Sequence, residues 1–336
     1  MAQEALPLAG DMARRKVTCA SRCSASLKLA GAWAGFYFLR LCERTLPTSV
    51  LNLLLRFPVA AWGLVRLRPR KLLNCWHRFP NSWHPRPGRF FLWQSLGLYH
   101  ARPLYIWPDR LCKTRWLSRC RLEGRSDLVR SRSGDRGVVL ASLHFGPFET
   151  LPYWLRAHGI VTTMIRGPIP DSLGSLASVQ YSLSPPADVP IFCFVKDLAP
   201  LPRFPRVGHL LAPGRRLLVT VDVNRGIQFY VPFEDRLFRM ATGATRLAIM
   251  ADADLIPCLI SEISSWRFVI HFGDPVPRAY LGDPPDLQAV CAHLLGEFSK
   301  VITSYPEQCR PELLSAFTLG SDAAEVSAVA QAAEGH

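Results

Sequence analysis

At 336 residues and 49% hydrophobic content, the chain is long enough to bury a sizeable core and too apolar to be mostly disordered. Its formal net charge of +14 is uneven: residues 1–136 hold 25 Lys/Arg against 7 Asp/Glu, and residues 137–336 hold 15 against 19. The positive charge belongs to the N-terminal part, which suits a membrane or nucleic-acid face, or simply a solvated basic surface.

Residues 1–27 read as a flexible leader. Residues 28–130 read as a mainly helical, membrane-associating region. Its first apolar run, "LAGAWAGFYFL" (29–39), follows Arg14, Arg15, Lys16, Arg22 and Lys28 but has no small-residue cleavage site after it. The run is shorter than the ~18–20 residues of a bilayer span. The second run, "VLNLLLRFPVAAWGLV" (50–65), is interrupted by Arg56 and Pro58. Together they predict a helical pair lying in or dipping into one leaflet. From Arg44 through Pro108 there are ten Lys/Arg and no Asp or Glu, and Trp62, Trp76, Trp83, Trp93 and Trp107 fall in the same window. Tryptophan favours the headgroup level and basic side chains favour anionic lipid. The same composition stacks on single-stranded nucleic acid, but the flanking runs are too apolar for such a groove, and no nucleic-acid motif is present. No nucleic-acid partner is expected.

After the loop "RSRSGDRG" (130–137) the pattern changes. Short apolar runs with strand composition occur at 137–143, 161–166, 216–222, 255–260 and 268–273, with helices predicted at 147–157, 242–251 and 286–304. Continuous apolar strands separated by helical stretches predict an α/β core over 131–320. The expected sheet is mixed and mostly parallel, with helices on both faces. Residues 321–336 read as a disordered tail. The ten cysteines form no C-x-x-C pair and no zinc-spaced Cys/His cluster, so they read as reduced thiols with no metal site. G-x-S-x-G, the P-loop and G-x-G-x-x-G are absent, which disfavours serine hydrolases and nucleotide enzymes.

The candidate chemistry lies in "VVLASLHFGPFETLPYWL" (138–155). His144 ends a buried strand, where ligands bind in open α/β sheets. Pro147 suits a first helical turn, with Glu149 inside it. On a continuous helix these two positions would stand about 140° apart, so they meet only if the chain bends at Gly146-Pro147. A carboxylate on one imidazole nitrogen would leave the other facing a pocket, as a general base requires. Gly146 offers backbone approach for a substrate, and the helix start offers positive potential for an oxyanion. From spacing alone two readings stand: a catalytic pair, or a capping histidine followed by a first-turn glutamate that favours the helix dipole.

The segment "LHFGPFE" resembles the H-x4-D/E signature of glycerolipid and lysophospholipid acyltransferases. It is closest to the lauroyl/myristoyl transferases of lipid A biosynthesis. "RPRKLLNCWHRFP" (68–80), "MIRGPIP" (164–170), "LLAPGRRLLVTVD" (210–222), "VPFEDRLFRMATGATRLAIMADADLIP" (231–257) and "YPEQ" (305–308) resemble further blocks of that family, in order, over roughly residues 30–310. The resemblance implies an O-acyltransferase on the cytoplasmic face of a bacterial inner membrane. It would move an acyl chain from a thioester, on acyl carrier protein or CoA, to the hydroxyl of a lipid acceptor, with no cofactor beyond that co-substrate. His144 would be the base and Glu149 would orient it. Arg166 would hold a phosphate of the acceptor or carrier, and Asp222, with Arg225, would bind the acceptor or brace the site. Gly146 would lie against substrate, and Thr242 with Gly243 would start a helix. The chain departs from the family at Pro147-Phe148, where Asn-Trp is usual, at "DVN" (222–224), and at "CRPELLSAF" (309–317), where an aromatic and basic run is usual. Those departures leave the acceptor open among lipid A precursors, other glycolipids and lysophospholipids. They also support the alternative of a catalytically diverged peripheral membrane protein that binds lipid or acyl carrier protein.

Overall fold

The computed structural model describes residues 41, 45–46, 50, 69–95, 117–130, 136–166, 191–193, 214–224, 226–264 and 267–318. The leader, the two apolar runs at 29–65 apart from four isolated positions, and the tail lie outside them. Among the described residues no helix is long and apolar enough to cross a membrane.

A seven-stranded sheet organises these residues. Its strands are β1 (Cys120–Gly124), β2 (Val138–Ser142), β3 (Thr163–Arg166), β4 (Ile191–Cys193), β5 (Arg216–Thr220), β8 (Asp254–Ser264) and β9 (Arg267–Phe272), in the order β1-β9-β8-β2-β5-β3-β4. The pairs β2–β5, β2–β8, β3–β5, β3–β4 and β1–β9 are parallel; β8–β9 is antiparallel. The sheet is therefore mixed and mostly parallel, and the α/β expectation holds. Strands β6 (Gln228–Phe233) and β7 (Arg236–Ala241) form a separate antiparallel hairpin around Glu234-Asp235.

Every residue of β2 is buried, as a central strand covered on both faces requires. Period-2 alternation sends Val139 and Ala141 into one apolar cluster and Val138 and Leu140 into the other. The first cluster takes in helix α1 (Pro69–Trp76), the hairpin, and helices α5 (Gly243–Met250) and α6 (Leu287–Ile302). The second takes in helix α4 (Leu151–Ala157), through Leu151, Trp154 and Leu155, and Val129 of the short helix α3 (Ser126–Arg130). Helix α6 starts where the Asp286 carboxylate accepts the Ala289 N–H at 2.9 Å. It buries Val290, Cys291, Leu294, Leu295, Phe298 and Ile302, a single apolar stripe at helical spacing.

Three expectations need correction. The core does not begin at 131: β1 lies before the 130–137 loop and pairs in parallel with β9. As an edge strand carrying Arg121 and Glu123, it lacks the apolar run that marks the central strands. Residues 69–95 also belong to the core. Leu72, Cys75, Phe79, Trp83 and Phe90 sit inside the first cluster, and helix α2 (Pro87–Ser95) buries Trp93. Trp83 is 0% exposed and Trp93 8%, so neither stands at headgroup level, and Trp76 packs partly buried against the same cluster. Trp62 and Trp107 lie outside the described residues. Finally, the β6–β7 hairpin was not expected as strands. Its turn is Glu-Asp rather than Asn-Gly, and Pro232 interrupts β6.

Cys75, Cys120, Cys258, Cys291 and Cys309 are buried and form no disulfide with one another. Burial raises the pKa of Cys120, Cys258, Cys291 and Cys309, that of Cys291 to about 12, so these four are inert in place.

Candidate active site

The site is built by strand register. β2 and β5 are adjacent and parallel, with Ser142 opposite Thr220. Two residues further on, His144 and Asp222 leave the sheet side by side beyond its carboxyl edge. The link continues past the strands, where the Val221 N–H donates to the Ser142 carbonyl at 2.8 Å.

Asp222 grips His144 twice. Its Oδ1 lies 2.8 Å from Nδ1, and its Oδ2 accepts the His144 backbone N–H at 3.0 Å. The Asp222 side chain is fully buried, whereas His144 keeps 18% of its side chain exposed. A carboxylate only accepts, so the proton of the neutral imidazole stands on Nδ1 and Nε2 is the bare nitrogen. Burial opposes charging of this imidazole. The charge and hydrogen bond of Asp222, aided by the charges of Glu312 and Glu149, outweigh burial and raise its pKa above the usual value.

Glu149 does not orient His144. After Gly146 the chain runs through a 3-10 turn, Phe148–Thr150, before α4 begins at Leu151, one turn later than the sequence predicts. Glu149 Oε1 instead accepts from Arg310 Nη2 at 2.6 Å. Its Oε2 is buried without a hydrogen-bond partner. Phe148 touches both units: its ring meets the His144 ring edge-on at 4.5 Å, and the Arg310 guanidinium lies 5.8 Å from its centroid. The Arg310 backbone N–H donates to the His144 carbonyl at 3.1 Å.

Gly146 is needed for packing rather than for substrate approach. It has φ +57°, and a Cβ there would stand 2.2 Å from the Ile260 carbonyl oxygen of β8. Its N–H is spent on the Gln308 carbonyl at 2.9 Å, so it is no oxyanion donor. Gln308 also clasps β8, with its side chain accepting the Glu262 N–H at 3.0 Å and donating to the Glu262 carbonyl at 2.8 Å.

Of the other expected site residues, Arg166 ends β3, two strands from His144 in the sheet order, with its backbone opposite Cys193. Arg225 lies outside the described residues. Thr242 stands before α5, but its hydroxyl donates to the Ile227 carbonyl at 3.1 Å instead of capping the helix. The residues that sequence reading missed are Arg310 and Gln308. Both lie in or just after "YPEQ", and only the fold brings that segment, more than 150 positions away, onto the H-x4-E turn.

A second histidine arrangement lies away from this site. Ser261 Oγ is 2.9 Å from His271 Nε2, and His271 Nδ1 is 3.4 Å from Glu123. A cleft of about 210 Å³ beside it is lined in part by Glu123, His271, Glu297 and Lys300. Ser261 is 0% exposed, so it cannot meet a substrate as a nucleophile, and the arrangement serves packing between β1, β8 and β9. Among the described residues no group of three or more His, Cys, Asp or Glu side chains could hold a metal ion.

Comparison with known proteins adds no assignment: no protein-family model matches the chain, and no curated protein matches it.

Proposed function

We propose that this chain is a membrane-associated O-acyltransferase that moves a fatty acyl group from a thioester to the hydroxyl of a lipid acceptor. The observation that carries the reading is the doubly anchored His144–Asp222 pair, with a bare Nε2, at the carboxyl edge of the two central parallel strands. The ordered resemblance to lipid A acyltransferases supports the same chemistry.

In this reading Nε2 accepts the proton of the acceptor hydroxyl as its oxygen attacks the thioester carbonyl. The new C–O bond forms, the C–S bond breaks, and the imidazolium returns its proton to the departing thiolate. Asp222 holds the imidazole in the productive tautomer and stabilises the imidazolium. No covalent acyl-enzyme is required. The acyl donor is an acyl carrier protein or CoA thioester. The acceptor is a lipid A-type glycolipid or a lysophospholipid, met at the cytoplasmic face of a bacterial inner membrane, with anionic lipid drawing in the basic N-terminal part.

The test is product formation. Wild type and His144→Ala are incubated with mixed acyl thioesters and a total membrane lipid extract, and the lipids are read by mass spectrometry. A new acylated lipid from wild type is expected, with the rate reduced by about 10³-fold in His144→Ala. Equal turnover by a folded His144→Ala would overturn the reading. One observation favours a second reading, a diverged lipid- or carrier-binding protein without turnover. The carboxylate of the H-x4-E motif sits on Arg310 rather than on the imidazole. That reading expects binding to lipid vesicles or acyl carrier protein and no product.

A further inference from the structure

Two of the carboxylates whose charge acts on the His144 imidazole are Asp222 and Glu149. Asp222 takes Nδ1 and the backbone N–H of His144. Glu149, five residues after the histidine, has its charge felt at the ring but makes no bond to it. Arg310 binds Oε1 and leaves Oε2 buried with nothing to accept from. We propose that Arg310 is a positioning residue: by tethering Glu149 it keeps the H-x4-E carboxylate off Nε2, the imidazole nitrogen that a substrate hydroxyl must reach. The need for an open Nε2 rests on reading His144 as the base; the tether itself does not.

The geometry supports restraint of Glu149 and not of His144. His144 is already fixed at its backbone N–H by Asp222, at its carbonyl by the Arg310 N–H, and at its ring edge by Phe148. Glu149 stands on a short 3-10 turn with 32% of its side chain exposed, and Arg310 is its one hydrogen-bond partner among the described residues. A buried carboxylate oxygen without a donor is costly, because it has given up its water without gaining a partner. Nε2–H of the imidazolium is a donor that would satisfy it. Once released, Glu149 would cap Nε2, hold the ring protonated and block the acceptor. The tether is an arginine, whose planar fork fixes a carboxylate's direction while its guanidinium stands over Phe148.

The charged groups facing His144 are Asp222 after β5, Glu149 after β2, and Arg310 and Glu312 around the short helix α7 (Pro311–Leu314). A charge count alone would make Arg310 and Glu149 act independently. A tether makes them interdependent, and that separates the two.

The experiment is a pH titration of the His144 imidazole nitrogens by NMR, using protein labelled with 15N-histidine and no substrate. Wild type is compared with Glu149→Gln, Arg310→Gln and the double variant. Arg310→Gln is expected to raise the His144 midpoint by about one pH unit. Glu149→Gln should move the midpoint little in wild type and lower it by about one unit in the Arg310→Gln background. Arg310→Lys, which keeps the charge but not the fork, should fall between wild type and Arg310→Gln; it also serves if Arg310→Gln does not fold. Equal Glu149→Gln shifts in both backgrounds would overturn the proposal, as would an Arg310→Gln or Arg310→Lys midpoint identical to wild type. Because the titration needs no turnover, a failed tether and a failed acyltransferase reading give different results.

Discussion

At the scale of single residues, the site is a histidine whose acid partner comes from the neighbouring strand. Asp222 offsets the burial of His144 and lifts its pKa. In the proposed reading His144 is the general base and must be neutral, so turnover should fall as pH drops through that raised value. In Asp222→Asn the imidazole loses its stabilising charge. Its acid limb should move to lower pH, and kcat should fall on the order of 10²–10⁴-fold; a pH–rate profile of the variant checks both. The sign for stability is opposite to that for turnover. A folded-state pKa above the unfolded one favours folding below the unfolded value, and that contribution is lost as pH rises through the folded one. Glu149, the motif's own acid, was visible in the sequence, but its partner was not. Spacing of five residues shows that two side chains lie near one turn, and nothing about which third group competes for either.

At the scale of elements, sequence reading found β2, β3, β5, β8 and β9, the strands that carry apolar runs. β2, β5 and β8 announce themselves by unbroken apolar runs, and their ends fall within a few residues of expectation. Edge strand β1 and the β6–β7 hairpin carry arginines, glutamine and a proline, so their pattern is weak. Helix α6 is legible because its apolar stripe and its Asp286 cap are both local features. The turn joining β2 to α4 is another matter. Gly146 is required there by the Ile260 carbonyl, a contact from β8. Gly146→Ala should destabilise the fold by about 2–3 kcal/mol through the left-handed φ and the clash, read as a drop in the denaturant midpoint. A variant as stable as wild type would show that the turn can move away from β8.

At the scale of the whole molecule, the basic N-terminal half does not stop short of the core. Trp83 is buried against Phe233 and Phe317, and its indole N–H donates to Ser299 of α6 at 3.0 Å. Arg78 donates to the Phe317 carbonyl at 3.2 Å. Residues 69–95 should therefore unfold together with the sheet. Trp83→Ala should cost about 3–5 kcal/mol and lower a single thermal transition seen by both far-UV CD and tryptophan fluorescence. A second, separate transition would mean that this segment folds on its own. A membrane role for the basic part thus rests on its outer side chains and on the preceding apolar runs, because the described tryptophans are used inside.

What the sequence by itself determined is local. Apolar runs mark the central strands, an amphipathic stripe marks α6, and His144 at a strand end marks where chemistry would sit. These depend on neighbours a few residues apart, which a linear reading can see. Only the tertiary structure decided which acid serves the imidazole, why Gly146 is glycine, and where Arg310 goes. Those choices are set by strand order and register, which bring positions 144, 222, 260 and 310 together. Contacts between residues so far apart in the chain leave no periodicity in one sequence.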